Sequence, residues 1–148
     1  KDVLSESFVK AASEIGEKTV DDFNGPQREG LGFYQVTQQG GQRCSAAKAY
    51  LSDALSRPNL TVITEALVEN VIIESKVARG VKLSKDGQAL TLNANKEVII
   101  SSGAINSPQI LMLSGIGPKQ HLADHGIDCK VDLPGVGQNL QDHLDALV

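Results

Sequence analysis

The chain has no tryptophan, two tyrosines and three phenylalanines among 148 residues. A surface that stacks bases or sugars needs several exposed rings, so that class of platform is excluded. Basic charge is also scarce. Fourteen Lys and Arg against eighteen Asp and Glu leave a net charge of −4. The basic residues are scattered, with no stripe of the kind nucleic acid demands, and no nucleic-acid partner is expected. No apolar run approaches the length of a membrane span, and no transmembrane segment is expected. The first twenty residues carry Ser5, Glu6, Glu14, Glu17 and Lys18 within a helical pattern, so they contain no signal-peptide core. The chain opens on Lys1, which reads as an internal cut; any targeting information of a longer parent would then lie elsewhere. Cys44 and Cys129 are the two cysteines. A widely separated pair makes neither a disulfide framework nor a metal site, and both are read as reduced structural thiols. Internal repeats and low-complexity stretches are absent.

What remains is an ordinary globular composition, 41% hydrophobic and 22% charged. The length is one domain's worth, enough to bury a core. Leu4, Phe8, Ala11, Ala12 and Ile15 fall on one helical face, and Gly16 ends that helix. Residues 21 to 42 are rich in Gly, Asp and Asn and read as loop, with Phe33, Tyr34 and Val36 as a short strand. Ser45 reads as the N-cap of a helix through Leu55, which Arg57-Pro58-Asn59 stops. Leu60 to Thr64 is a β-branched run and a strand. Ala66 to Glu74, Ala78 to Ser84 and Gln88 to Ala94 are three more, with a hairpin signal at Lys85-Asp86-Gly87. Val98 to Ser101 reads as a buried strand. Lys119 to His125 is a short helix ended by Gly126, and Cys129 to Asp132 a last small strand. The predicted order is sheet strand, antiparallel meander, second sheet strand. The fold class is α/β, or α+β for this chain in isolation.

The most informative stretch is residues 101 to 118, Ser-Ser-Gly-Ala-Ile-Asn-Ser-Pro-Gln-Ile-Leu-Met-Leu-Ser-Gly-Ile-Gly-Pro. An apolar run feeds a glycine, and Ser107-Pro108 opens an aliphatic segment. Proline fits a first helical position because its missing N–H would be unpaired there. The pattern is strand, tight turn, short helix, stop. A glycine at a strand end lets a ligand approach the backbone, and the helix start beside it offers free N–H groups.

This stretch resembles a signature of the glucose–methanol–choline family of flavin-dependent alcohol oxidoreductases: a small-residue turn, Ser-Pro, an aliphatic helix and Ser-Gly-aliphatic-Gly. Two more blocks resemble that family in the same order. One is Gly41-Gln42-Arg43-Cys44-Ser45 running into Ala49-Tyr50-Leu51. The other is Leu133-Pro134-Gly135-Val136-Gly137-Gln138-Asn139-Leu140-Gln141-Asp142-His143. The text, including Asp22-Phe23-Asn24-Gly25, is most similar to the bacterial choline dehydrogenase and alcohol dehydrogenase branch. The family's Gly-x-Gly-x-x-Gly loop for the flavin diphosphate is missing. Gly115-Ile116-Gly117 and Gly135-Val136-Gly137 both lack the third glycine. The family's catalytic His lies in a later portion that this chain does not contain, so no catalytic residue is expected here. The chain reads as an internal part of an enzyme.

The resemblance implies a partial FAD-binding fold of the glutathione-reductase-like type. Residues 1–57 would belong to the substrate-domain and crossover side. Residues 58–118 would belong to the FAD domain, and 119–148 would return toward the substrate domain; a single compact unit 1–148 is the other option. It implies oxidation of a primary alcohol, choline or another aliphatic or aromatic alcohol, to an aldehyde by hydride transfer to FAD. The electron acceptor is not readable. The two cysteines read as reduced thiols fit a cytoplasmic location, with membrane association through a longer parent left open. The alternative is a non-catalytic binding or structural module that retains part of the fold. FAD binding by this chain alone is expected to be weak or absent.

For the cofactor, the resemblance places Ser101, Ser102, Gly103 and Ala104 as a backbone surface near the nucleotide half of the flavin, with Ser107 at the helix start. The competing reading is that small residues there permit tight packing. Thr64 to Val68 matches the family step in which a valine presents its N–H and C=O to the adenine edge. Otherwise Val68 is a plain core valine. Arg43 lies in a block near the domain junction, or is a solvated arginine at a helix start. His121 and His125 have the i, i+4 spacing of metal ligands, but no third ligand completes a set and no metal is expected. Asn139, Asp142 and His143 are expected to form a structural hydrogen-bond cluster. No Ser, His and Asp spacing supports a nucleophile.

Overall fold

The computed structural model describes residues 2–144. Lys1, with the reading placed on it, and the end of the 119–148 segment lie outside the described residues. The chain separates into two compact units, Lys1–Val62 and Ile63–Val148.

In the first unit, helix α1 spans Val3–Glu14 and Asp2 caps it, accepting the Ser5 N–H at 3.4 Å. Gly16 and Glu17 close its far end through bonds to Ser13 and Ala12 carbonyls. The amphipathic face is as read, but only Ala12 is buried on it; Leu4, Phe8 and Ile15 are exposed. A parallel bridge joins Thr19 and Leu31, and Val20 is buried beside it. The strand expected at Phe33 to Val36 is not formed. A two-residue ladder forms later instead, β1 (Gln38–Gln39) against β2 (Gln42–Arg43). Ser45 does cap the next segment, accepting the Lys48 N–H at 3.2 Å. The expected helix through Leu55 shrinks to one π-helical turn, Ala47–Leu51, followed by irregular turns. Tyr50 and Leu55 are exposed, so no buried face adds the packing from which most helical stability comes.

The second unit is built on an antiparallel meander. Strands β3 (Ala66–Glu74), β4 (Val77–Lys85) and β5 (Gln88–Asn93) lie in that order. Both connections are two-residue turns with positive φ at both positions, 49° and 64° at Ser75 and Lys76, 52° and 74° at Asp86 and Gly87. That handedness matches the twist of a hairpin. The β3–β4 register shifts at Val68/Asn70, so Glu69 is a bulge. The extra residue keeps Val68 and Val71 on one face. Leu83 and Val71, both buried, form the centre of that face with Val81. Helix α2 (Gly103–Leu113) packs against β3. It leads to β6 (Ile116–Gly117), helix α3 (Lys119–Asp124) and β7 (Val131–Asp132), with β6 and β7 parallel. Leu122 on α3 is fully buried, at 0% exposure. Gly115 is restricted to glycine twice over. Its φ is +85°, and a Cβ there would sit 2.5 Å from the Asp128 carbonyl oxygen.

The fold is therefore mixed helix and sheet, with two corrections to the sequence reading. Leu60 to Thr64 and Val98 to Ser101 carry no ladder, so neither is a strand. A strand of a parallel sheet needs a neighbour on its edge, and the described residues offer none. The side chains of 98–100 still alternate, Val98 and Ile100 half-buried and Ile99 exposed. Second, α2 starts at Gly103, five residues before Pro108, so the proline lies inside the helix. Its missing N–H leaves the Ala104 carbonyl without its i+4 donor.

Only five apolar residues are buried among those described: Ala12, Val20, Val71, Leu83 and Leu122. Leu67, Ile99 and Ile105 in the second unit are exposed.

Candidate functional site

β3 is an edge strand, and the backbone groups on its free edge are the starting point. The Ala94 N–H donates to the Arg79 carbonyl at 2.7 Å. Arg79, Val81 and Leu83 thus turn their own N–H and C=O toward β5, because backbone direction alternates along a strand. Val68 stands opposite Leu83 and Val71 opposite Val81. Both therefore turn their backbone groups away from β4, onto the free edge. The Val71 N–H is found there on the Ser114 hydroxyl at 2.8 Å. The Ile73 carbonyl, next along the same edge, accepts from Lys130 Nζ at 3.4 Å. No such bond closes the edge at Val68 among the described residues.

Val68 lines a small cavity of about 80 Å³ with Val71, Val81, residues 98–100, Ser102 and Ile110. Val68 and Ser102 are thus brought together, although 34 positions separate them in the chain (102 minus 68). Ala104 and Ser107 fall elsewhere. They line a cleft of about 650 Å³ between α2 and residues 136–141. Four of the six candidate residues thus divide between two openings, and Ser101 and Gly103 are exposed and line neither.

The turn itself has a defined construction. Gly103 has φ +87°, and a Cβ built there meets nothing within 4 Å. Glycine is required by conformation, and the space in front of it is open. Ser107 Oγ accepts the Ser102 N–H at 3.0 Å. Ser102 makes no side-chain cap to α2. The first N–H groups of α2, on Gly103, Ala104 and Ile105, therefore have no side-chain partner among the described residues and form the positive end of the helix dipole.

The remaining candidates are dispersed. Arg43 is exposed on β2, paired with Gln38. The His121 and His125 rings lie 4.5 Å apart, and His125 Nδ1 is 2.9 Å from the His121 carbonyl oxygen. No group of three or more His, Cys, Asp or Glu able to hold a metal occurs among the described residues. Cys44 and Cys129 are free and half-buried. Asn139, Asp142 and His143 are exposed. Of their expected cluster one bond is present, the His143 N–H to Asp142 Oδ1 at 2.8 Å. No described helix is long and apolar enough to cross a membrane.

Sequence reasoning missed Ser114 and Lys130, which close the edge of β3, and the part of 136–141 in the larger cleft. Ser114 left one signal: a lone hydroxyl at the end of the aliphatic run Ile110 to Leu113.

Known proteins resemble this chain in sequence and in fold. The sequence profile of the GMC oxidoreductases matches residues 1–145. An oxygen-dependent choline dehydrogenase of Sinorhizobium fredii is 48% identical over 145 residues, 98% of this chain and 26% of that protein. An alcohol dehydrogenase [acceptor] of Pseudomonas putida is 51% identical over 144 residues, 96% of this chain and 26% of that protein. Among solved structures, an FAD-dependent oxidoreductase from Chaetomium thermophilum superposes with a TM-score of 0.81 at 33% identity. That match covers 95% of this chain and 25% of the other. Pyridoxine 4-oxidase from Mesorbium loti gives 0.76 at 28% identity, over 90% of this chain and 26% of its own. The chain spans about a quarter of the length of the curated relatives it matches. With its profile match over nearly the whole chain and these identities, the chain belongs to the GMC oxidoreductase family.

Proposed function

We propose that this chain is the part of a longer FAD-dependent oxidoreductase that builds the adenine side of the cofactor site, in an enzyme oxidising a primary alcohol such as choline to its aldehyde. The observation that carries the reading is the open edge at Val68 beside Ser102. A backbone N–H and C=O directed off an edge strand offer one donor and one acceptor to one ligand edge, which is what adenine N1 and N6 take up. Val71, Val81 and Ile110 give that position apolar walls, and the turn at Gly103 leaves the backbone approachable. The uncapped start of α2 supplies N–H groups toward negative charge.

FAD, when bound, supplies the hydride acceptor for the alcohol carbon. This chain's residues bind and orient. They offer no base to the hydroxyl proton, since the expected catalytic histidine belongs to a later portion. The large apolar exposure favours a segment covered by further polypeptide over a free-standing module. The domain assignments 1–57, 58–118 and 119–148 and the cytoplasmic location belong to the same proposal. The test is anaerobic mixing of the full-length protein with choline or an aliphatic primary alcohol. Bleaching of the flavin absorbance with stoichiometric aldehyde is expected. A bound flavin that no primary alcohol reduces would overturn the assigned reaction.

A further inference from the structure

Among the described residues, Ser114 is the one buried polar residue, at 3% exposure. Its hydroxyl donates to the Ile110 carbonyl at 2.5 Å and accepts the Val71 N–H at 2.8 Å. The first bond directs the proton along α2, so the lone pair is aimed at β3. The second spans 43 positions of chain and holds the free edge of the strand. Val71 and Val68 flank the Glu69 bulge and turn their backbone groups to the same edge. A bulge is a point at which register and twist can change. Ile110, whose carbonyl takes the Ser114 proton, also lines the cavity of Val68 and Ser102. One hydroxyl thus ties the helix behind the Gly103 turn to the strand that carries Val68.

We propose that Ser114 is a positioning residue that fixes the bulged edge of β3, so that the Val68 N–H and C=O meet the adenine base in register. The inference rests on the adenine reading above. Loss of the hydroxyl leaves the buried Val71 N–H unpaired, and the edge relaxes across the bulge toward Val68.

The test uses full-length protein and two dinucleotides, FAD and its hypoxanthine analogue. Hypoxanthine turns N1 into a donor and position 6 into an acceptor, reversing both bonds to Val68. The wild-type protein is expected to prefer FAD by about tenfold or more, the loss of one to two net hydrogen bonds. In Ser114→Ala that preference falls below about threefold, and Ser114→Thr, which keeps the hydroxyl, restores it. Equal weakening of both dinucleotides in Ser114→Ala, with the preference intact, would overturn the proposal and leave Ser114 a packing residue. A wild-type preference near one would overturn the adenine reading itself. Amide exchange in the ligand-free protein then decides the Ser114 bond separately. Faster exchange at Val71 in Ser114→Ala supports the hold on the edge, and unchanged exchange refutes it.

Discussion

The Ser107 hydroxyl accepts the Ser102 N–H at 3.0 Å and so braces, from the helix side, a turn whose conformation Gly103 makes possible. The brace and the left-handed glycine are separate requirements of the turn.

Gly103→Ala in the full-length protein should destabilise by about 1–2 kcal/mol through backbone conformation alone. No clash adds to that, since the space around a Cβ there is empty. Melting with and without FAD separates packing from a role at the cofactor. A Tm loss that is greater with saturating FAD places the turn against the cofactor. An equal loss in both states would assign the glycine to the fold only.

The isolated chain 1–148 should show no alcohol dehydrogenase activity with any electron acceptor and should bind FAD weakly. It has no diphosphate loop, and affinity drops about tenfold for each ~1.4 kcal/mol of binding free energy that the missing loop would supply. Titration of flavin fluorescence measures this. Sub-micromolar binding, or turnover above a free-flavin control, would contradict it.

How far the sequence carried the structure depends on where each element finds its partners. The meander was legible because the strands read at 66–74, 78–84 and 88–94 pair with one another, and Lys85-Asp86-Gly87 announces the second of its two turns. Helices α1 and α3 were legible from caps and period. The runs at 60–64 and 98–101 have strand composition but no neighbour among the described residues, and composition cannot reveal an absent ladder. The helix expected through Leu55 failed for a related reason, since its apolar residues have nothing to pack against. Pro108 misled by local logic, which places proline at a helix start, whereas the left-handed Gly103 begins this helix earlier. Within the site, the candidate residues were chosen by motif resemblance, and their role at a cofactor is a proposal. The division of four of them between two openings, and the roles of Ser114 and Lys130 on the β3 edge, depend on interactions between distant parts of the chain.

The most direct test is flavin retention in Val68→Pro beside Val68→Ile, in the full-length protein. The Val68 N–H points off the free edge, so proline there removes no bond between β3 and β4 and can be carried by an edge strand. It removes only the donor offered to a ligand. Val68→Ile keeps the backbone and should retain wild-type flavin. Val68→Pro should fold and lose flavin affinity by roughly tenfold, the value of about one hydrogen bond. Equal flavin content and equal FAD affinity in the two purified variants would contradict the claim that the β3 edge at Val68 holds the adenine.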